Sequence, residues 1–134
     1  MNSFERVKVI PAASDDIRGI GDTGVQRAVI SALLMVEENL TFGVPLESLS
    51  YVGDLRGCRK IYVDEPGDFK PRYRIVYWLA PSEKISHFAR VIAVGRREDL
   101  RAYEIAVQRY NADRNALGLR PVEEMTDSDL GLAG

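Results

Sequence analysis

Three strand-like segments stand in series in the middle of the chain, and they constrain its fold more than any other feature. Residues 59–63 (RKIYV), 73–79 (YRIVYWL) and 85–94 (ISHFARVIAV) are rich in β-branched and aromatic side chains, which fit a pleated, half-buried surface. Turn chemistry follows each: DEPGDFKP after the first, APSEK after the second, Gly95 after the third. The APSEK connection is short enough to make its two flanking strands antiparallel neighbours. An antiparallel meander is therefore the expected centre of the fold.

Helical signals flank it. From Thr23 to Asn39, Val25, Ala28, Val29, Ala32, Leu33, Val36 and Leu40 follow the i, i+3, i+4 rhythm of one buried face. Thr23 and Gln26 have capping-box spacing, and Gly43 with Pro45 marks the stop. Ile30, Leu34 and Met35 widen the apolar stripe, so cover on more than one side is expected. A second helix is expected from the cap Asp99, with Leu100, Tyr103, Val107, Tyr110 and Leu117 on one face and Gly118 and Pro121 ending it. Residues 4–10 (FERVKVI) read as a first strand stopped by Pro11, and residues 13–24 as a loop with at most one helical turn. The order is β-α-β-β-β-α: an α+β domain over residues 1–121, with a small antiparallel sheet and helices on one of its faces. Residues 122–134, acidic and rich in small residues, read as a mobile tail.

With 134 residues, 46% hydrophobic and 28% charged, the chain suits one globular domain. Its longest apolar stretch, Val29 to Val36, is broken by Ser31 and is far below the roughly 20 residues of a membrane span. Charges in MNSFERVKV occupy the place of a signal peptide's apolar region, so a cytoplasmic protein is expected. One cysteine and one histidine build neither an internal disulfide nor a conventional zinc site, and no metal or cofactor is expected. His87 lies mid-strand without a local acid partner, and Cys58 beside an apolar strand is a packing residue. Gly19-x-Gly21-x-x-Gly24 spells a dinucleotide fingerprint, but it follows a loop instead of a strand and is set aside.

Charge is unevenly spread. Residues 56–109 carry 12 basic and 7 acidic side chains, whereas residues 1–55 carry 4 and 8, and residues 110–134 carry 2 and 5. Within the basic middle, period-2 alternation puts Lys60 and Tyr62 on one face of their strand. It puts Arg74, Val76 and Trp78 on one face of the next, with Tyr73, Ile75 and Tyr77 on the other. An arginine in the centre of an apolar strand is costly to bury unpaired, so Arg74 should face a groove or an anion. Arg96 and Arg97 stand where the third strand leaves the sheet, and Tyr103 near the start of the following helix. Antiparallel pairing is expected to bring Lys60, Arg74 and Arg97 to one edge. Salt-bridged surface cations are the alternative reading of the same spacing.

The segments LRGCRKIYVD, YRIVY, VIAVGRRE and AYEIAVQR, in that order over Leu55 to Arg109, resemble the RelE group of toxins from bacterial toxin–antitoxin systems. The spacing is kept except for a longer turn at 65–72. The resemblance implies a small α+β toxin that enters the ribosomal A site and cuts messenger RNA without metal. It implies catalytic roles for Lys60, Arg74, Arg97 and Tyr103, with Arg59, Tyr62, Arg72 and Arg96 as RNA contacts. Its implied partners are a cognate antitoxin protein and the ribosome-bound messenger. Where the family often has a second lysine, this chain has Tyr62. Relatives of the ParE group share the fold without the nuclease residues and inhibit DNA gyrase. A non-enzymatic binder, whether gyrase inhibitor or degenerate toxin retaining only antitoxin binding, is therefore the alternative function, and an unrelated α+β interaction module a third.

Overall fold

A computed structural model describes residues 4–46, 48–49, 53–64, 71–82, 87–96 and 100–125, with backbone alone at 48–49, 64, 71–72 and 100–102. The three central segments form the expected meander: β5 (Cys58–Asp64), β6 (Pro71–Pro81) and β7 (His87–Arg96), each antiparallel to the next. Two further strands extend it. β1 (Val7–Val9) pairs with β7 in parallel, and β2 (Val44–Pro45) pairs with β5 antiparallel, giving the order β1-β7-β6-β5-β2. The sheet is therefore mixed, which corrects the expectation of an antiparallel one. β3 (Ser48–Leu49) and β4 (Gly53–Asp54) form a separate two-stranded ribbon.

Two helices follow β1. α1 (Pro11–Arg18) occupies part of the segment read as loop, with Pro11 in the first turn, where its missing N–H costs nothing, and Ala13 fully buried. α2 (Thr23–Glu38) starts at Asp22, whose carboxylate accepts from the N–H groups of Gly24 (2.7 Å) and Val25 (3.2 Å). Val25, Val29, Leu33 and Val36 are buried as the periodicity requires. Burial of each such side chain is worth about 1.5–3 kcal/mol. Ile30, Leu34 and Met35 remain exposed, so α2 is covered on one side rather than several.

α3 (Leu100–Ala116) follows β7 and lies on the opposite face of the sheet from α1 and α2. One core holds α1 and α2 against Ile61, Val63, Ile75, Tyr77, Ala89, Val91 and Val94. The other holds Ala106 and Tyr110 of α3 against Cys58, Val76, Trp78, Ala80, Ile92 and Ala93. The helices thus flank the sheet, correcting the expectation of one helical face. The physical reason lies in strand alternation: both faces of β6 are apolar, so each needs its own cover. α3 buries Ala106, Tyr110 and Arg114 while Leu117 is exposed, and it ends at Gly118 in the left-handed region (φ 74°). The packed unit also extends past residue 121. Val122 and Met125, around a 3₁₀ turn at Val122–Glu124, belong to the α3 core, which corrects the start of the tail; residues 126–134 lie outside the described residues.

β1 covers β7 only over Ala89–Val91, and β7 carries a bulge at Ile92, since Val76 pairs with Ala93 and Tyr77 with Val91. Side chains close the edge beyond it. Asp16 of α1 accepts from the Val94 N–H (3.0 Å), and Arg109 of α3 donates to the Ile92 carbonyl (3.0 Å) and to Asp16 (2.6 Å). One ion pair thus ties both helical layers to the bulged strand.

Candidate functional site

The α3 face of the sheet carries the polar cluster. Tyr62 and Arg74 stand directly opposite one another across β5 and β6, and Lys60 lies two residues along from Tyr62. Lys60 Nζ donates to Tyr62 Oη (2.9 Å), with Tyr62 about two-fifths exposed. Tyr103, from the first turn of α3, lays its ring over the Arg74 guanidinium, 4.1 Å from Cζ to ring centroid. Beneath that ring Arg74 is only 4% exposed, and its Nε and Nη1 are buried without a hydrogen-bond acceptor. A buried donor left unmade costs about 1–3 kcal/mol, so this is an expensive way to keep an arginine. The cation–π contact offsets part of the cost, up to about 2 kcal/mol when desolvated.

Lys60, Tyr62, Arg74 and Tyr103 are therefore brought together. Two of the other expected residues are not. Arg59 points to the opposite face, where it donates to the carbonyls of Gly43 (2.7 Å) and Thr41 (3.2 Å) and fastens the loop after α2. Tyr77 completes that fastening, donating to the Leu40 carbonyl (2.8 Å) and accepting from the Gly43 N–H (2.9 Å). Arg96 also leaves the cluster: it pairs with Tyr73 and lies over that ring, 5.7 Å from its centroid. The bulge at Ile92 is the cause, because one extra residue exchanges the faces of everything after it. Arg72 is described in its backbone only, and Arg97 lies outside the described residues.

Most other described cations of the basic middle are spent on structure. Arg90 forms a forked pair with Asp113 (2.6 and 2.8 Å), which also accepts from Trp78 Nε1 (2.8 Å). Arg56 pairs with Asp54 in the loop before β5. Burial pushes the Asp54 carboxyl up, but the hydrogen bonds and charge of Arg56 outweigh it and hold the group below its ordinary value. Arg114, beyond the basic middle and buried, likewise donates to the Arg120 carbonyl (2.8 Å) beside the rings of Trp78 and Tyr110. Sequence reasoning missed Asp113 and Arg114. The signal for Asp113 was an acid three residues after Tyr110 on α3, facing Arg90 in an otherwise apolar stretch of β7.

The set-aside motifs stay set aside. Cys58 is buried, and desolvation pushes its thiol well above the ordinary value, so it is a packing group. Gly19 ends α1 and Gly24 opens α2, with the Asp22 carboxylate already holding the N–H groups a phosphate would need. His87 is an exposed residue at the start of β7. Among the described residues, no three His, Cys, Asp or Glu side chains are grouped to hold a metal ion, and no helix is long and apolar enough to cross a membrane.

Chemically, the cluster offers an ammonium, a guanidinium with two unused donors, and two phenols. Guanidinium N–H groups match the oxygens of phosphate. Comparison with family models, curated proteins and solved structures found no match to this chain.

Proposed function

We propose that the protein is a RelE-like toxin of a toxin–antitoxin system, a ribosome-dependent endoribonuclease acting on messenger RNA in the cytoplasm without a metal. The observation that carries this reading is Arg74: a guanidinium held in a sheet with unused donors, stacked under Tyr103 and flanked by Tyr62 and Lys60. The unmade donors cost the fold stability, whereas a phosphate site has a use for them. The segment resemblance over Leu55–Arg109 adds Arg97 to the same set.

RNA carries its own nucleophile, the 2′-hydroxyl. A protein that deprotonates it and stabilises the charge growing on the phosphate has supplied the chemistry. Arg74 and Arg97 would hold the phosphate oxygens, and Lys60 or Tyr103 would take the proton. The 2′-oxygen then bonds to phosphorus as the 5′-oxygen leaves with a proton, giving a 2′,3′-cyclic phosphate and a 5′-hydroxyl. Ribosome dependence follows if the ribosome sets the RNA for in-line attack. A cognate antitoxin is the expected protein partner.

One observation favours a second reading, a non-enzymatic binder of the same kind of fold. Tyr103 covers Arg74, and the family's second lysine is Tyr62, so the exposed charge of the cluster is small. Induced expression separates the two. Rapid translation arrest with cleaved transcripts is expected for the nuclease. A DNA-damage response with intact transcripts, or unimpaired growth, overturns it.

A further inference from the structure

We infer that Arg74 is a covered anion site and that the Tyr103 ring is its gate. The inference rests on the cluster to which the proposed activity is assigned, but concerns its regulation and is tested without RNA cleavage. Three observations meet at one point. Arg74 is 96% buried, its Nε and Nη1 have no acceptor, and the group covering it is an aromatic ring whose centroid is 4.1 Å from Cζ. Tyr103 itself is only partly buried at the margin of the α3 core, so the ring can uncover Arg74 by a change of side-chain rotamer.

Two states follow. In the closed state the ring satisfies the cation through its π face but leaves two N–H donors unmade. In the open state those donors meet an oxyanion, a phosphate group being the matching class, and Lys60 stands two residues along β5 from Tyr62 to add a second positive charge. The anion binds the open state alone, so its apparent affinity is reduced by the fraction of molecules that are closed. A tenfold bias toward the closed state, the net of ring contact and packing over the cost of the two unmade donors, corresponds to about 1.4 kcal/mol. The protein would thus carry a low resting affinity for phosphate, raised once something else, such as a base stacking on the displaced ring, holds Tyr103 open.

The test is titration of the full-length protein with inorganic phosphate, by calorimetry and by ring resonances in NMR spectra. Tyr103→Ala should bind phosphate about tenfold more tightly than the unaltered protein. Tyr103→Phe keeps the ring and should bind like the unaltered protein, and Arg74→Met introduced into Tyr103→Ala should remove the gain. In the unaltered protein, saturating phosphate should shift the Tyr103 ring resonances as the ring leaves the guanidinium, a readout that stands even if Tyr103→Ala does not fold. Equal or weaker binding by folded Tyr103→Ala, a gain that survives loss of Arg74, or unshifted ring resonances at saturation would each overturn the gate. An active nuclease lacking these responses would refute the gate alone; a gated anion site in a protein that cuts no RNA would refute the nuclease alone.

Discussion

Replacing Arg74 by methionine removes a buried guanidinium while keeping a flexible side chain of similar reach, and the sign of the stability change distinguishes a functional arginine from a structural one. Arg74 has two donors, Nε and Nη1, that are buried and unmade. Each carries a desolvation cost of about 1–3 kcal/mol that methionine does not incur. Against this, the variant loses the stack on Tyr103, worth at most about 2 kcal/mol. The balance favours the variant by about 0–4 kcal/mol, and methionine retains a thioether contact with the same ring. For a domain of this size that is a rise in Tm of up to roughly 15 °C. The assay is urea unfolding followed by circular dichroism, with an unchanged m value showing that the same surface is exposed. Had Arg74 been one half of a buried ion pair, its removal would instead cost about 3–5 kcal/mol. A fall in stability of 1 kcal/mol or more would refute the reasoning, because it would mean that the fold depends on the charge.

Other consequences can be checked on the same purified protein. A Cβ at Gly43 would lie 2.9 Å from the Lys60 carbonyl oxygen and 2.9 Å from Tyr77 Cε1, so Gly43→Ala should cost about 1–3 kcal/mol in urea unfolding. Asp113→Ala strands Arg90 and Trp78 Nε1 together and should cost about 3–5 kcal/mol, with a change in tryptophan fluorescence. Burial raises the Cys58 thiol above its ordinary 9.0, and burial likewise raises the Tyr77 phenol above 10.0 despite the Gly43 hydrogen bond and the Arg59 charge. Folding therefore favours the protonated forms: their contribution is complete below pH 9 and is lost as pH climbs past the unfolded values. Each group adds a slope of up to about 1.4 kcal/mol per pH unit there. Tm measured from pH 7 to 11 should fall on the alkaline side, less steeply for Cys58→Ala; a flat profile would contradict the burial of these groups.

What the sequence made legible was local. The meander was readable because β5, β6 and β7 each carry their own alternation, and α2 because Val25, Val29, Leu33 and Val36 recur at helical spacing. α1 was missed because eight residues with a single fully buried position leave little periodicity, although Pro11 in its first turn and Gly19 at its end were the available signals. The parallel pairing of β1 with β7 joins residues about 80 apart and leaves no local trace. Within the site, Lys60, Tyr62 and Arg74 were legible because alternation and simple antiparallel register suffice to place them. That Arg96 falls outside the cluster was not legible, because a single bulge at Ile92 reverses the faces beyond it and no residue in VIAVGR announces a bulge. The hold of Arg59 on the loop after α2 was not legible because its acceptors are backbone carbonyls, which look alike in every sequence. That Arg74 would be sealed under Tyr103 follows from α3 crossing this face of the sheet, a tertiary fact that neither segment encodes alone.

The most direct test of the account is cleavage of a defined messenger RNA in a reconstituted translation system, with the ends of the fragments mapped chemically. The unaltered protein should cut ribosome-bound message, leave 2′,3′-cyclic phosphate or 3′-phosphate ends, and leave the same RNA intact when ribosomes are omitted. Arg74→Met combined with Tyr103→Phe should lose most of that cleavage while remaining folded. Full cleavage by the double variant, or intact message with the unaltered protein, would contradict the account.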